Sequence, residues 1–177
     1  MLISREKRKT NIAEYILYMW QVEDTIRAFG FDIEKLDREL IQKYNQTPQV
    51  KKEMREWYEN IAFHMKNEKV EQSGHARFIK NNINELFDFH LFLLNQPGEV
   101  TYAELFFKVL PLIREMNAKQ KWTCENEVET CFNAVYIYMM MRLRKDTVSD
   151  ETREAMNLFI QFLSLLSSKF RAHEEGE

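Results

Sequence analysis

Glycine and proline are scarce, with four and three residues in a chain of 177. A sandwich or barrel needs many tight turns, and turns need those residue types, so the scarcity excludes an all-β architecture. Cysteine is rarer still: Cys124 and Cys131 are the whole complement, which is no disulfide framework. Seven residues apart on one helix, the two would stand roughly 10 Å apart along the axis, beyond what a disulfide tolerates. They read as small apolar fillers in a reducing compartment.

Long uncharged runs are missing too. The longest stretch without Asp, Glu, Lys or Arg is Ala155 to Ser168, well short of the roughly 20 residues that a membrane span needs. The basic start, Met1 to Lys9, resembles the head of an export signal. The apolar stretch after it, however, carries Glu14 and runs into Gln21, Glu23 and Asp24. A cytoplasmic, soluble protein without membrane association is expected. The net charge is -3, so no bulk positive field recruits nucleic acid. Arg5, Lys7, Arg8 and Lys9 lack interleaved aromatics and read as a solvated face.

What is present is helical periodicity. Hydrophobic residues make up 45% of the chain and charged residues 30%, an ordinary globular mixture. Ile12, Tyr15, Ile16, Met19, Val22, Ile26 and Phe29 fall on one helical face, with Asn11 and Glu14 spaced as a capping box. After Gly30, Asp32 can cap a shorter helix carrying Ile33, Leu36, Leu40 and Tyr44 inward. Thr47-Pro48 reads as an N-cap followed by proline in the first turn, ahead of Val50, Met54, Trp57, Ile61 and Met65. Ser73 or Gly74 opens a fourth segment with Ile79, Ile83, Leu86, His90 and Leu93 inward. Thr101 and Glu104 suit a capping box for a fifth, which Pro111 should kink. Thr123 can cap a sixth, burying Val128, Cys131, Val135 and Met139. Ser149 opens a seventh with Phe159, Phe162, Leu166 and Phe170 inward. The expected fold is all-α: a compact single-domain bundle of six or seven helices over residues 1–173, mostly antiparallel neighbours, with a frayed charged tail over 174–177.

The sequence offers little chemistry. His75 and His90 stand roughly 22 Å apart on a straight helix and cannot share an ion. His64 lies on the preceding helix and His173 in the last, and the ligand spacings of zinc or di-iron bundles are absent. There is no nucleophile elbow, phosphate-binding glycine loop or C-x-x-C. No metal, cofactor or catalytic residue is expected, and a non-enzymatic role is favoured. Cys124 in a first helical turn would have its thiol acidified by the helix dipole, although nothing places a base beside it. Glu14, Tyr18 and Gln21 form a polar stripe beside Trp20, Glu23 and Asp24, which suits either a polar-ligand pocket or a hydrated helix face. His90 on an apolar face demands a partner, and Glu85 or Asp88 is a candidate. Trp20, Trp57 and Trp122, with nine methionines, can line an adaptable apolar groove or simply fill the core.

Three stretches, Asn11-Ile-Ala-Glu-Tyr-Ile-Leu-Tyr-Met-Trp-Gln-Val-Glu-Asp24, Ser73-Gly-His75 and Asn82-Ile-Asn-Glu-Leu-Phe-Asp-Phe-His90, together resemble a domain-of-unknown-function family of short helical proteins from Gram-negative gut anaerobes. The resemblance spans most of the chain. It implies a compact helical fold and a cytoplasmic home, transfers no activity, and makes the first helix and the Ser73 to His90 region the places to search.

Three functions compete. The first is an interaction or assembly module, most simply a homodimer, motivated by the nearly all-round apolar stretch Phe87 to Leu94 and by Phe159 to Phe170. The second is a small-molecule binder with a pocket between helices, its candidate residues being Glu14, Trp20, Gln21, Asp24, His75, Asp88 and His90. The third is a metal-assisted enzyme using His64 or His90 with carboxylates.

Overall fold

A computed structural model of the chain describes residues 2–119 and 124–176. Among the described residues the fold is all-α: eight α-helices, one short 3-10 helix and no strand. The helices are α1 Leu2–Thr10, α2 Ile12–Ala28, α3 Ile33–Glu39, α4 Pro48–Asn67, α5 Arg77–Leu94, α6 Val100–Lys119, α7 Glu127–Leu143 and α8 Asp150–Glu175, with the 3-10 turn at Ile41–Lys43. The count exceeds the expected six or seven because Asn11 separates a short basic helix from α2, rather than the pattern simply starting there.

Local chemistry sets most of the helix starts. The Asp32 carboxylate accepts from the Lys35 amide and the Thr47 hydroxyl from the Val50 amide, with Pro48 in the first turn. The Ser149 hydroxyl accepts from the Thr152 amide, and Asp150 and Glu151 sit where the helix dipole favours negative charge. Three expected starts move. Thr123 lies outside the described residues, and the cap of α7 is Asn126, which accepts from the Glu129 amide while Glu129 reaches back to the Glu125 amide at 2.6 Å. α6 begins at Val100, so Thr101 falls inside its first turn, and the helix continues through Pro111. α5 begins at Arg77 rather than at Ser73 or Gly74. Tyr44, expected inward, is exposed. At the other end, α8 continues through Glu174 and Glu175 to Gly176, whose positive φ of 82° closes the helix.

The chain divides into two compact units: Met1–Thr10 with Glu14–Asn81, and Asn11–Ala13 with Asn82–Glu177. In the first, α2 buries Ile16, Met19, Trp20, Val22 and Ile26; α4 buries Ile61 and Met65; and Leu36 and Ile41 come from the short helices between. In the second, α6, α7 and α8 all pack on one another. Phe159, Phe162, Leu166 and Phe170, on the stretch of α8 considered for an interface, are buried in this core. Ser167 joins them, donating to the Asn11 side-chain oxygen at 2.9 Å and accepting from the Ala13 amide at 3.4 Å.

His90 is the histidine of the second core, only 1% exposed. Its partner is not a carboxylate. Nδ1 lies 2.7 Å from the Tyr102 hydroxyl, and the rings of Phe106 and Phe162 stand edge-on to the imidazole at 4.5 and 5.6 Å. Asp88 and Glu85 are exposed. Burial pushes the imidazole down to about 4, only weakly opposed by Glu127, and pushes the Tyr102 phenol upward. A protonated phenol therefore meets a neutral ring, and the two share one hydrogen bond. Between the ordinary value of 6.5 and about 4, the unfolded chain takes up a proton that the folded chain refuses, so stability falls as pH falls through that window. Replacing His90 with Asn, whose side-chain amide can still hydrogen-bond the Tyr102 hydroxyl but does not titrate, is expected to flatten this slope. In urea unfolding compared near pH 7 and pH 4, the unsubstituted chain should lose on the order of 2–3 kcal/mol more than the variant.

Candidate functional site

Two of the three stretches singled out in the sequence meet in the first unit. α2 presents Trp20, Glu23 and Arg27, spaced three and four residues apart on one helical face. All three engage the segment between α4 and α5. Trp20 stacks flat on the His75 ring, with centroids 4.0 Å apart and planes within 5°. The Glu23 carboxylate, wholly buried, reaches His75 Nδ1 at 2.6 Å with one oxygen, while the other accepts from the Ala76 amide at 2.7 Å. The Arg27 guanidinium donates to the carbonyls of Val70, at 3.0 Å, and Gly74. Gly74 has φ of 84°, a conformation that side-chain-bearing residues rarely adopt, which accounts for the glycine in Ser73-Gly-His75.

The same cluster closes the N-terminus of α5. A helix leaves its first amides without intrahelical partners. Here two consecutive ones are taken by carboxylates from other helices: the Ala76 amide by Glu23 of α2, and the Arg77 amide by Glu68 immediately after α4. Both negative charges sit where the helix dipole is positive, which eases the burial of Glu23.

The arrangement has the geometry of a carboxylate-oriented histidine, but among the described residues the His75 ring is hydrogen-bonded to no hydroxyl or thiol. Among the described residues no group of three His, Cys, Asp or Glu side chains is arranged to hold a metal ion. Nor are the thiols poised to react. Cys124 precedes α7 instead of lying in its first turn. Burial, its largest influence, raises its pKa, and the thiol accepts from the Asn133 amide at 3.4 Å. Cys131 is fully buried and raised well above its ordinary value.

Of the residues expected to line a pocket, Trp20 and His75 come together. Glu14 is exposed and pairs with Lys7; Asp24 is exposed and pairs with Arg27 at 2.9 Å; the Gln21 carbonyl accepts from the Thr25 hydroxyl. Asp88 lies on the surface of the second unit, and His90 within its core. Sequence reasoning weighted Glu14 and Asp24 and passed over Glu23, the buried member of the trio. The signal available was its register, three residues after Trp20 and four before Arg27.

Removing the Glu23 side chain leaves the Ala76 amide and His75 without their acceptor. Glu23→Ala is expected to cost about 3 kcal/mol in urea unfolding, and Glu23→Gln, which keeps an oxygen for Ala76, about 1 kcal/mol. Amide exchange at Ala76 should accelerate in the alanine variant. Equal losses in the two variants would contradict the assigned role.

Neither a curated protein nor a solved structure matches the chain. A family model does, over residues 1–177, and its description is Domain of unknown function (DUF4924). The chain that brings α2 together with Ser73-Gly-His75 therefore belongs to the DUF4924 domain-of-unknown-function family.

Proposed function

We propose that this protein is a non-enzymatic assembly module that works as a homodimer in the bacterial cytoplasm, pairing through the C-terminal half of α7. One observation carries the reading. From Thr130 to Met141 the helix contains no charged residue, and Tyr136, Ile137, Tyr138, Met139, Met140 and Met141 are each partly exposed, with Leu143 69% exposed at the end. Six consecutive residues cover every direction around a helix, so these turns lack a polar face. Leaving that surface in water forgoes the burial that drives association.

A second copy is the simplest occupant. An isologous contact presents the same uncharged helix from both sides and needs no matching charge from another protein. Three methionines in a row give a surface that adapts to its own copy. Arg142, whose guanidinium lies 5.9 Å from the Tyr138 ring, supplies a polar rim. On α5, Leu91 and Phe92 are also exposed, so part of the Phe87 to Leu94 stretch remains open to solvent. The free thiols of Cys124 and Cys131 suit a reducing compartment, and no described helix is long and apolar enough to cross a membrane.

Native mass spectrometry with light scattering at tens of micromolar tests the reading. The unsubstituted chain should show twice the monomer mass. Met140→Glu combined with Leu143→Glu should give a monomer with unchanged helical content. A unsubstituted chain that is monomeric under these conditions, or a double variant that remains dimeric, overturns it.

A further inference from the structure

The first unit also holds a groove of about 420 Å³, framed by α2, α4 and the first turns of α5. That volume falls within the range of small-molecule sites. Its apolar side is built from Met19 and Ile61, both buried, with the half-buried rings of Trp57 and Phe78. Such walls suit a flat aromatic body.

The polar lining is asymmetric in how its groups are engaged. Glu68 is its only carboxylate, and one of its oxygens is already held by the Arg77 amide. Arg77 also lines the groove, and its guanidinium has no ion pair or hydrogen bond among the described residues. Asn60 and Asn81 contribute side-chain amides that are likewise unengaged among the described residues. The groove thus offers one unengaged guanidinium fork and two unengaged side-chain amides next to aromatic walls.

We infer that this groove binds a small aromatic carboxylate: the ring packs between Trp57 and Phe78, the carboxylate takes the fork of Arg77, and the two asparagine amides hydrogen-bond polar atoms at the ring edge. A planar guanidinium matches a carboxylate with two parallel hydrogen bonds, which gives orientation as well as attraction. The site lies in the first unit and the α7 surface in the second, so each reading stands or falls without the other.

Titration of the full-length ¹⁵N-labelled protein tests it, following the Trp57 indole N–H and the Asn60 and Asn81 side-chain amides. The probes are indole-3-acetate, phenylpyruvate and benzoate, with tryptamine and indole as cationic and neutral counterparts. At least one of the three carboxylates should produce saturable shifts at all three positions, at least tenfold tighter than tryptamine or indole. Arg77→Gln should weaken that carboxylate at least tenfold while leaving the unfolding midpoint unchanged, because the Arg77 backbone amide that Glu68 caps is retained. Arg77→Lys should recover part of the loss. Absence of saturation with all three carboxylates, equal binding of tryptamine or indole, or an Arg77→Gln variant that binds as well as the unsubstituted chain overturns the inference.

Discussion

The first unit depends on a carboxylate removed from water. Glu23 is wholly enclosed, and an isolated charge there would be prohibitively costly. It is tolerated because it has two donors within 2.7 Å and sits at the positive end of a helix. Those donors belong to a segment with little apolar surface of its own. Trp20 adds a flat surface for the His75 ring, and Arg27 takes two carbonyls of the same segment. One face of α2 therefore does for this connection what a hydrophobic core does for helices. Breaking such a buried set by removing one member leaves the others stranded, which makes the cluster cooperative.

The second unit solves a smaller version of the same problem differently. His90 is kept neutral, enclosed by aromatic rings and matched with one phenol, so no charge has to be buried. The contrast follows from the available partners. A backbone amide at a helix start stabilises an anion, whereas Tyr102, Phe106 and Phe162 offer a single hydroxyl and otherwise apolar surface.

Much of this architecture was legible in the sequence, because it rests on local rules. Asp32, Thr47-Pro48 and Ser149 cap the helices they precede, and the three- and four-residue spacing of Ile79, Ile83, Leu86, His90 and Leu93 places all five inside. Several misses share a physical origin, partners supplied by other parts of the chain, whereas the Asn126 and Glu129 cap of α7 was a local pattern passed over. Glu23 stands between Val22 and Asp24 like any hydrated helical glutamate, and nothing nearby reveals that residues 52 and 53 positions away hold it. The start of α5 at Arg77 rests on Glu23 of α2 and on Glu68 just after α4, not on an adjacent capping residue. His90 was correctly seen to need a partner, but carboxylates on its own helix were closer in sequence than the phenol of α6 that supplies it. The partly exposed end of α7 was visible as a Met-Met-Met run, yet only the packed structure separates a core-facing run from one facing water.

The bond network around Ser167 has a consequence for the order in which the chain takes shape. Asn11 and Ala13 leave the ribosome early, and their hydroxyl partner follows more than 150 residues later. Residues 11–13, which cluster with the second unit, must wait for nearly the whole chain while α2 continues from them into the first. All of Glu14–Asn81 is synthesised well before Ser167 is available to close this contact. Because each unit draws on separate stretches of the chain, a cut at Asn81 would yield two fragments, of which the later one lacks the residues that Ser167 ties down.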